Sequence, residues 1–238
     1  MTTSPARRLV AEFLGTAFLV AAVVGSGVMG ERLSNGNMAL ALLTNTIATG
    51  AALIAIIFTF GPISGAHLNP VVTLADAIEK GLAWSHAWQY MAAQIAGGII
   101  GTILAHLMFG LPPIFISQHV RNGPTQLLSE FVATFGLVSV IWGCSRSHKN
   151  MVPFAVGAYI SAAYWFTAST SFANPAVTIA RALSDTFAGI RPADVLPFIL
   201  AQLAGAIAST FLFRWLVPNL AVEAGDVVVA RSRGTTKT

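Results

Sequence analysis

Charged residues are scarce in this sequence. Only 9% of its 238 residues are Asp, Glu, Lys or Arg, whereas 55% are apolar. An ordinary soluble domain carries about 25% charged residues, and a disordered chain is also far more polar than this one. The composition therefore predicts a membrane protein. The net charge of +4 is small and gives no reason to expect a nucleic-acid partner.

Cysteine is almost absent as well. Cys144 is the only one in the chain, which excludes an internal disulfide. The sequence contains no phosphate-binding loop and no nucleophile triad, and its histidines show no metal-ligand spacing. We therefore expect neither an enzyme nor a resident cofactor or metal.

Long apolar stretches are plentiful. Six of them approach the roughly 20 residues that a transmembrane helix needs, and their Gly and Ala content favours close helix packing over strands. They are residues 9–28, 38–60, 84–109, 126–144, 151–167 and 195–217. The sequence thus predicts an all-α membrane protein with six transmembrane helices.

The basic residues predict an orientation, because cytoplasmic loops carry an excess of Lys and Arg. A cytoplasmic N-terminus leaves nine basic residues inside and four outside. The inside set is Arg7, Arg8, Lys80, Arg146, Lys149, Arg214, Arg231, Arg233 and Lys237, and the outside set is Arg32, Arg121, Arg181 and Arg191. We therefore expect both termini in the cytoplasm, with residues 219–238 forming a polar cytoplasmic tail.

Two further apolar segments, at about residues 69–78 and 174–183, are too short to span a membrane alone. A helix of ten residues is only about 15 Å long at 1.5 Å per residue. Two such helices placed end to end could cross. We therefore interpret these segments as half-helices.

The chain is an internal duplication. Residues 67–78 (HLNPVVTLADAI) match 172–183 (FANPAVTIARAL) at six of twelve positions, 11–20 match 129–138 at five of ten, and 92–104 match 200–212 at seven of thirteen. Each repeat, at about 7–109 and 126–217, thus holds three spans and one half-helix. Because three is an odd number, the second copy must be inverted in the membrane, which is an arrangement found in transporters.

The inversion brings the N-termini of the two half-helices together near the midplane. Pro70 and Pro175 suit the first helical position, and Asn69 and Asn174 suit the caps. Two positive dipole ends and two amide donors would favour water or a neutral hydroxylated solute and would oppose cations and proton hopping. Irregular backbone before each cap would supply pore carbonyls, which we assign to Gly65, Ala66, His67, Ser169 and Thr170.

Glu12 and Glu130 are matched intramembrane acids. Such residues are costly and usually face the protein interior. We interpret them as anchors that accept the backbone amides of the half-helix loops. A proton-coupled inverted-repeat transporter, in which these carboxyls titrate, is the alternative.

Several motifs now identify a family. EFLGT at 12–16, SGAHLNPVVTL at 64–74, NPA at 174–176 and the AQ-containing third and sixth spans resemble the aquaporin and aquaglyceroporin (major intrinsic protein) family over about residues 7–217. The resemblance implies six tilted helices and two re-entrant half-helices in a channel domain, residues 1–218. It also implies one pore per subunit and a homotetramer. The pore motifs would be Asn69, Pro70 and Val71, with Val in place of the usual Ala, and Asn174, Pro175 and Ala176.

The resemblance further implies a selectivity filter of four residues, which by position are Thr49, Ala162, Ser171 and Val177. Family members usually carry Arg where this chain has Val177. Loss of that cation and its five donors predicts a wide, weakly charged filter. Arg181, one helical turn beyond Val177, is a candidate for a positive outer vestibule, or else it only stabilises the C-terminus of its half-helix.

These features together predict a passive channel in a cell membrane for small uncharged solutes and water, without any cofactor. The resemblance suggests a bacterial inner membrane, because bacterial relatives with unusual filters include channels associated with arsenic resistance. Expected solutes are glycerol-like polyols and neutral metalloid acids such as arsenite, extending to methylated arsenicals. A water-selective aquaporin is the alternative within the family.

Overall fold

Eight α-helices and one short 3-10 turn make up the described part of the chain. The computed structural model describes residues 4–147 and 149–217. The helices are α1 (Pro5–Leu33), α2 (Met38–Ser64), α3 (Pro70–Ile78), α4 (Trp84–Met108), α5 (Pro124–Ser147), α6 (Val152–Phe166), α7 (Pro175–Arg181) and α8 (Pro192–Leu216), with the 3-10 turn at Lys149–Met151. The predicted tail, with Arg231, Arg233 and Lys237, lies outside the described residues, as do the side chains of Arg146 and Lys149.

The predicted all-α fold is confirmed. Five helices, α1, α2, α4, α5 and α8, are long and apolar enough to cross a membrane. The remaining span is α6, whose 15 residues make a helix of about 22 Å. The half-helices α3 and α7 have 9 and 7 residues, and they begin at Pro70 and Pro175, the residues that the sequence predicts for the first helical positions.

The two repeats fold alike. In the first, α1 packs against α2 and α4, and in the second, α5 packs in the same way against α6 and α8. The two half-helices contact each other, and each also packs on a span of the opposite repeat, α7 on α4 and α3 on α8. The duplication seen in the sequence therefore forms one interlocked body.

The helical bundle has two ends, which we name by the connections they carry. The distal end holds the 109–123 connection, where Arg32 Nη2 donates to the Phe109 carbonyl at 3.0 Å. The proximal end holds the start of α1 and the end of α8, where Arg214 Nε donates to Glu79 Oε1 at 2.9 Å. α3 runs from the midplane to the proximal end, and α7 runs from the midplane to the distal end.

Glycines allow the closest helix contacts. A Cβ on Gly97 of α4 would overlap the Phe13 carbonyl of α1, and a Cβ on its repeat mate, Gly205 of α8, would overlap the Phe131 carbonyl of α5. Backbone atoms cannot move aside as a flexible side chain can. These two matched crossings therefore require a residue without a side chain.

Substitution at these crossings should destabilise the bundle. We expect Gly97→Ala and Gly205→Ala each to lower the free energy of unfolding by about 1–3 kcal/mol through overpacking. Thermal unfolding of the purified protein in detergent measures this effect. Gly143→Ala is the matched control, because its Cβ would meet only Phe213 at an ordinary 3.7 Å. Equal stability of all three variants would contradict the packing argument.

Candidate pore

The N-termini of the two half-helices are joined by a reciprocal pair of hydrogen bonds. Asn69 Nδ2 donates to the Ala173 carbonyl at 2.7 Å, and Asn174 Nδ2 donates to the Leu68 carbonyl at 2.8 Å. Each side-chain oxygen caps its own helix, with Asn69 Oδ1 accepting from Val71 N at 3.0 Å. Both asparagines are therefore fixed in orientation at the centre of the fold.

The backbone leading into each half-helix is left-handed at matched positions. In the first repeat Gly65, Ala66 and Leu68 have φ of 96°, 48° and 53°. In the second repeat Thr170, Ser171 and Ala173 have φ of 61°, 51° and 47°. L-residues pay roughly 1–2 kcal/mol each for this conformation, so surrounding contacts must hold the loops in place.

Glu12 supplies those contacts in the first repeat. Its Oε1 accepts from His67 N at 3.0 Å and from the Ser64 hydroxyl at 2.6 Å. Its Oε2 accepts from Leu68 N at 2.7 Å and from Gln94 Nε2 at 2.8 Å. The carboxylate is fully buried and lies behind the loop.

Glu130 repeats the arrangement in the second half. Its oxygens accept from Phe172 N and Ala173 N, each at 2.9 Å, and from Gln202 Nε2 at 2.6 Å. The same Gln202 nitrogen also lies 2.9 Å from the Thr178 hydroxyl. Each acid therefore anchors a half-helix loop with charge-assisted hydrogen bonds.

A cavity runs past the asparagine pair. Residues one turn apart on four helices form its apolar walls. They are Leu19 and Val23 on α1, Leu53 and Ile57 on α2, Leu137 and Ile141 on α5, and Val156 and Ile160 on α6. The half-helix loops add polar atoms along one side, and both Asn69 and Asn174 reach the cavity.

The pore carbonyls begin closer to the caps than the sequence predicted. Ala66 and His67 line the cavity, as expected, but Gly65, Ser169 and Thr170 are not among the lining residues. The Ser169 carbonyl instead accepts from Arg121 Nη1 at 3.1 Å. This bond turns the Ser169 carbonyl toward Arg121, and Ser169 is not among the residues that line the cavity.

Three of the four predicted filter residues, Thr49, Ser171 and Val177, line the cavity. Ala162 does not, because it lies on the exposed face of α6, and that prediction is wrong. Two residues turn a helix by about 200°, so Tyr164 faces the cavity instead. The Tyr164 hydroxyl donates to Thr49 Oγ1 at 3.2 Å, so this end is narrower than a filter of small residues.

Arg181 also lines the cavity, although only 2% of the residue is exposed. Its Nε donates to the Ala188 carbonyl, and its guanidinium carbon lies 3.4 Å from the centroid of the Phe172 ring. A second guanidinium, of Arg121, lies 5.0 Å from the same centroid. Two guanidinium groups therefore lie together at the distal end of the cavity, and the weak charge predicted for the four filter residues stays a prediction.

The proximal end differs in charge. The repeat mates of Phe172 and Arg181 are His67 and Asp76, and His67 Nε2 lies 3.5 Å from Asp76 Oδ2. His67 Nδ1 also lies 3.1 Å from the Thr73 hydroxyl. The inverted repeat thus places a cation on an aromatic ring at one end and a histidine–carboxylate contact at the other.

Charge at the distal end also affects nearby loop groups. Burial lowers the pKa of Arg121 to about 10, so the guanidinium stays protonated at pH 7. Partial burial also lowers the pKa of His119, and the charges of Arg121 and Arg181 lower it further, against the raising effect of Asp185. The neutral form of His119 is therefore favoured beside the two cations.

Sequence reasoning missed the roles of Tyr164, Phe172 and Arg121. Tyr164 was detectable, because Ile160 and Tyr164 continue the one-turn spacing of Val156 on α6. Phe172 was detectable as the repeat mate of His67. Arg121 lies in a connection without a repeat mate, and no local pattern places its side chain.

Comparisons with known proteins agree on one family. The major intrinsic protein family model matches residues 1–171 and 148–237. The chain is 56% identical to "Aquaglyceroporin AqpS" of Rhizobium meliloti (strain 1021), over 89% of this chain and 90% of that protein. It is 33% identical to "Aquaporin NIP1-4" of Oryza sativa subsp. japonica, over 86% and 75% of the two chains.

Two further matches extend the comparison. The chain is 32% identical to "Glycerol uptake facilitator protein" of Streptococcus pneumoniae, over 64% of this chain and 71% of that protein. The solved structure of the aquaglyceroporin from Plasmodium falciparum superposes with a TM-score of 0.70 at 18% identity, covering 92% of this chain and all of that one. This structural similarity supports the fold.

The anchoring role of Glu12 is testable. We expect Glu12→Gln to lower the free energy of unfolding by about 3 kcal/mol or more, because an amide would turn a donor toward backbone N–H groups that need an acceptor. Thermal unfolding and water permeability per folded channel measure the effect. Glu31→Gln is the matched control, since Glu31 is exposed on the same helix. A Glu12→Gln channel as stable as this control would contradict the anchor.

Proposed function

Because the chain belongs to the major intrinsic protein family, we propose that it is a passive channel of the aquaglyceroporin type for small uncharged hydroxylated solutes and water. The observation that carries the proposal is the reciprocal asparagine pair in the cavity wall. Each amide nitrogen has two N–H groups and uses one on the opposite loop. The second N–H of each is left for a solute.

The distribution of charge supports a preference for neutral solutes. Glu12 and Glu130 accept hydrogen bonds behind the loops, and among the described residues no carboxylate lines the cavity. The positive ends of both half-helices point at its centre. A cation therefore meets the positive helix ends without a carboxylate in the described cavity wall to coordinate it, whereas a hydroxylated solute can accept from the asparagines and donate to loop carbonyls.

The proposed solutes are glycerol-like polyols and neutral metalloid acids such as arsenite, with methylated arsenicals as larger members of the same class. The similarity to an aquaglyceroporin and to a glycerol uptake facilitator supports the polyols. Val177 supports the larger solutes, since it is smaller than the Arg that the family usually has there. Tyr164 sets a limit on width that Ala162 would not have set.

The family suggests the state of assembly of this protein, and the distribution of its basic residues suggests its orientation in the membrane. We propose a homotetramer in a bacterial inner membrane, with both termini in the cytoplasm and the distal end outside. Large apolar side chains on the outer surface, such as Trp88 and Leu128 at 64% and 63% exposed, suit lipid or a neighbouring subunit. Each subunit would carry its own pore.

The rival mechanisms have less support. A proton-coupled transporter needs a carboxyl that can exchange protons with the pore, but all oxygens of Glu12 and Glu130 are occupied by donors on the loops and helices. Solute accumulation driven by a pH gradient would favour that rival. A strictly water-selective channel would pass water and exclude glycerol.

Substitution at the filter tests the width of the pore. We expect Val177→Arg to lower glycerol permeability about tenfold, equal to a barrier increase of about 1.4 kcal/mol, and to lower water permeability much less. Swelling of proteoliposomes in glycerol and in an impermeant osmolyte measures both rates. Val120→Arg adds the same charge at the distal end on an exposed residue and should change neither rate. A wild-type channel that passes only water would overturn the aquaglyceroporin proposal.

Arsenite transport can be tested separately. In cells that lack other metalloid routes, expression of this channel should bring internal arsenite toward the external concentration without exceeding it, because the channel is passive. Val177→Arg should slow that uptake, with Val120→Arg as its control. Rapid glycerol flux without arsenite uptake would restrict the proposal to polyols.

A further inference from the structure

One cation in the cavity wall has no place in the function described so far. Val177 and Arg181 are four residues apart on α7 and both line the cavity. Side chains at this spacing are about 5–6 Å apart on one helix face. Arg181 therefore reaches the pore one turn distal to the position at which the family usually has its filter arginine.

The side chain is held rigidly. The Nε–H group binds the Ala188 carbonyl, and the planar guanidinium lies on the Phe172 ring. The terminal nitrogens, Nη1 and Nη2, carry four more N–H groups, and no hydrogen bond joins them to any described residue. These donors are the ones left to face the cavity.

Countercharges at the distal end are engaged elsewhere. Both oxygens of Glu130 accept backbone amides, Asp185 Oδ1 accepts Gln118 N at 2.8 Å, and Asp194 accepts Arg121 N and Arg191 Nη2, each at 2.9 Å. In the part of the chain that the structure describes, no carboxylate forms an ion pair with Arg181. Arg121, over the same Phe172 ring, adds a second positive charge.

An unpaired hydroxyl completes the polar side of this region. The Ser171 hydroxyl is buried, has no hydrogen-bond partner among the described residues, and belongs to a residue of the cavity wall. Ser171 directly precedes Phe172, whose ring carries the guanidinium. A solute oxygen at this level would therefore meet donors from Arg181 and a hydroxyl that can donate or accept.

We propose that Arg181 is the cationic donor of the selectivity filter, acting one helical turn distal to Val177. The proposal rests on the proposed channel function and adds a residue to it. Arg181 binds oxygen atoms of a passing hydroxylated or neutral oxoacid solute and repels hydronium and metal cations. Different residues thereby exclude charge and set the width of the pore. The positive charge sits on Arg181, while Val177 leaves room at the level where the family's arginine would stand.

The test compares cation leak with solute flux in proteoliposomes of the full-length channel. Proton entry is followed with a trapped pH dye under a potassium diffusion potential, and glycerol entry by swelling. We expect Arg181→Ala to raise proton leak at least about tenfold, while glycerol flux is retained or increased. The reason is that a partly buried charge repels a cation several-fold more strongly than a charge in water does. Arg32→Ala, which removes an exposed arginine at the same end, should leave both rates unchanged.

A second substitution makes the test specific. Val177→Arg combined with Arg181→Ala should restore proton exclusion and reduce glycerol flux, because both the charge and the bulk of an arginine then lie at the level of residue 177. Retained glycerol flux with no rise in proton leak in Arg181→Ala would overturn the inference while leaving the channel function intact.

If Arg181→Ala passes no solute at all, Arg181→Gln decides, since it can keep a donor for the Ala188 carbonyl without the charge. Increased proton leak in Arg181→Gln supports the filter role of Arg181, and an unchanged proton leak refutes that role. A wild type without glycerol flux would instead count against the proposed function.

Discussion

Two amide groups at the centre of the membrane determine the geometry of this channel. The bonds from Asn69 to the Ala173 carbonyl and from Asn174 to the Leu68 carbonyl hold two short helices tip to tip, although no covalent segment joins them there. The same side chains cap their own helices, so their remaining N–H groups have a fixed direction. Without this pair, neither half-helix could present its positive end to the pore.

Burial of two carboxylates supports that centre. A buried charge is costly unless hydrogen bonds replace its hydration, and the donors come from left-handed loops that are themselves costly to form. Hydrogen bonds from the loop amides to the carboxylates offset both of these unfavourable terms. Glu12 and Glu130 therefore stabilise the loops from behind, and no carboxylate of the described residues lines the cavity.

Much of the architecture could be predicted because the chain is a duplication. Matched NP motifs placed the half-helices and their caps, and the odd number of spans required the inversion. The filter was harder to predict, since the position carried over from the family selected Ala162, on the exposed face of α6, instead of Tyr164. A count along the chain selects the right residue of α6 only when the connection at 167–173 has the length that the family has there. The environment of Arg181 depends on Phe172, Ala188 and Arg121, which only the folded chain brings together.

The proposed channel conducts neutral hydroxylated solutes, while the positive charge at its centre and distal end excludes cations. The most direct measurement records glycerol flux and ionic current on the same wild-type preparation, as a function of solute gradient and membrane potential. The account predicts glycerol flux that saturates weakly, follows only the glycerol gradient and carries no current. A cation current that grows with glycerol flux, or glycerol movement that depends on membrane potential, would contradict it.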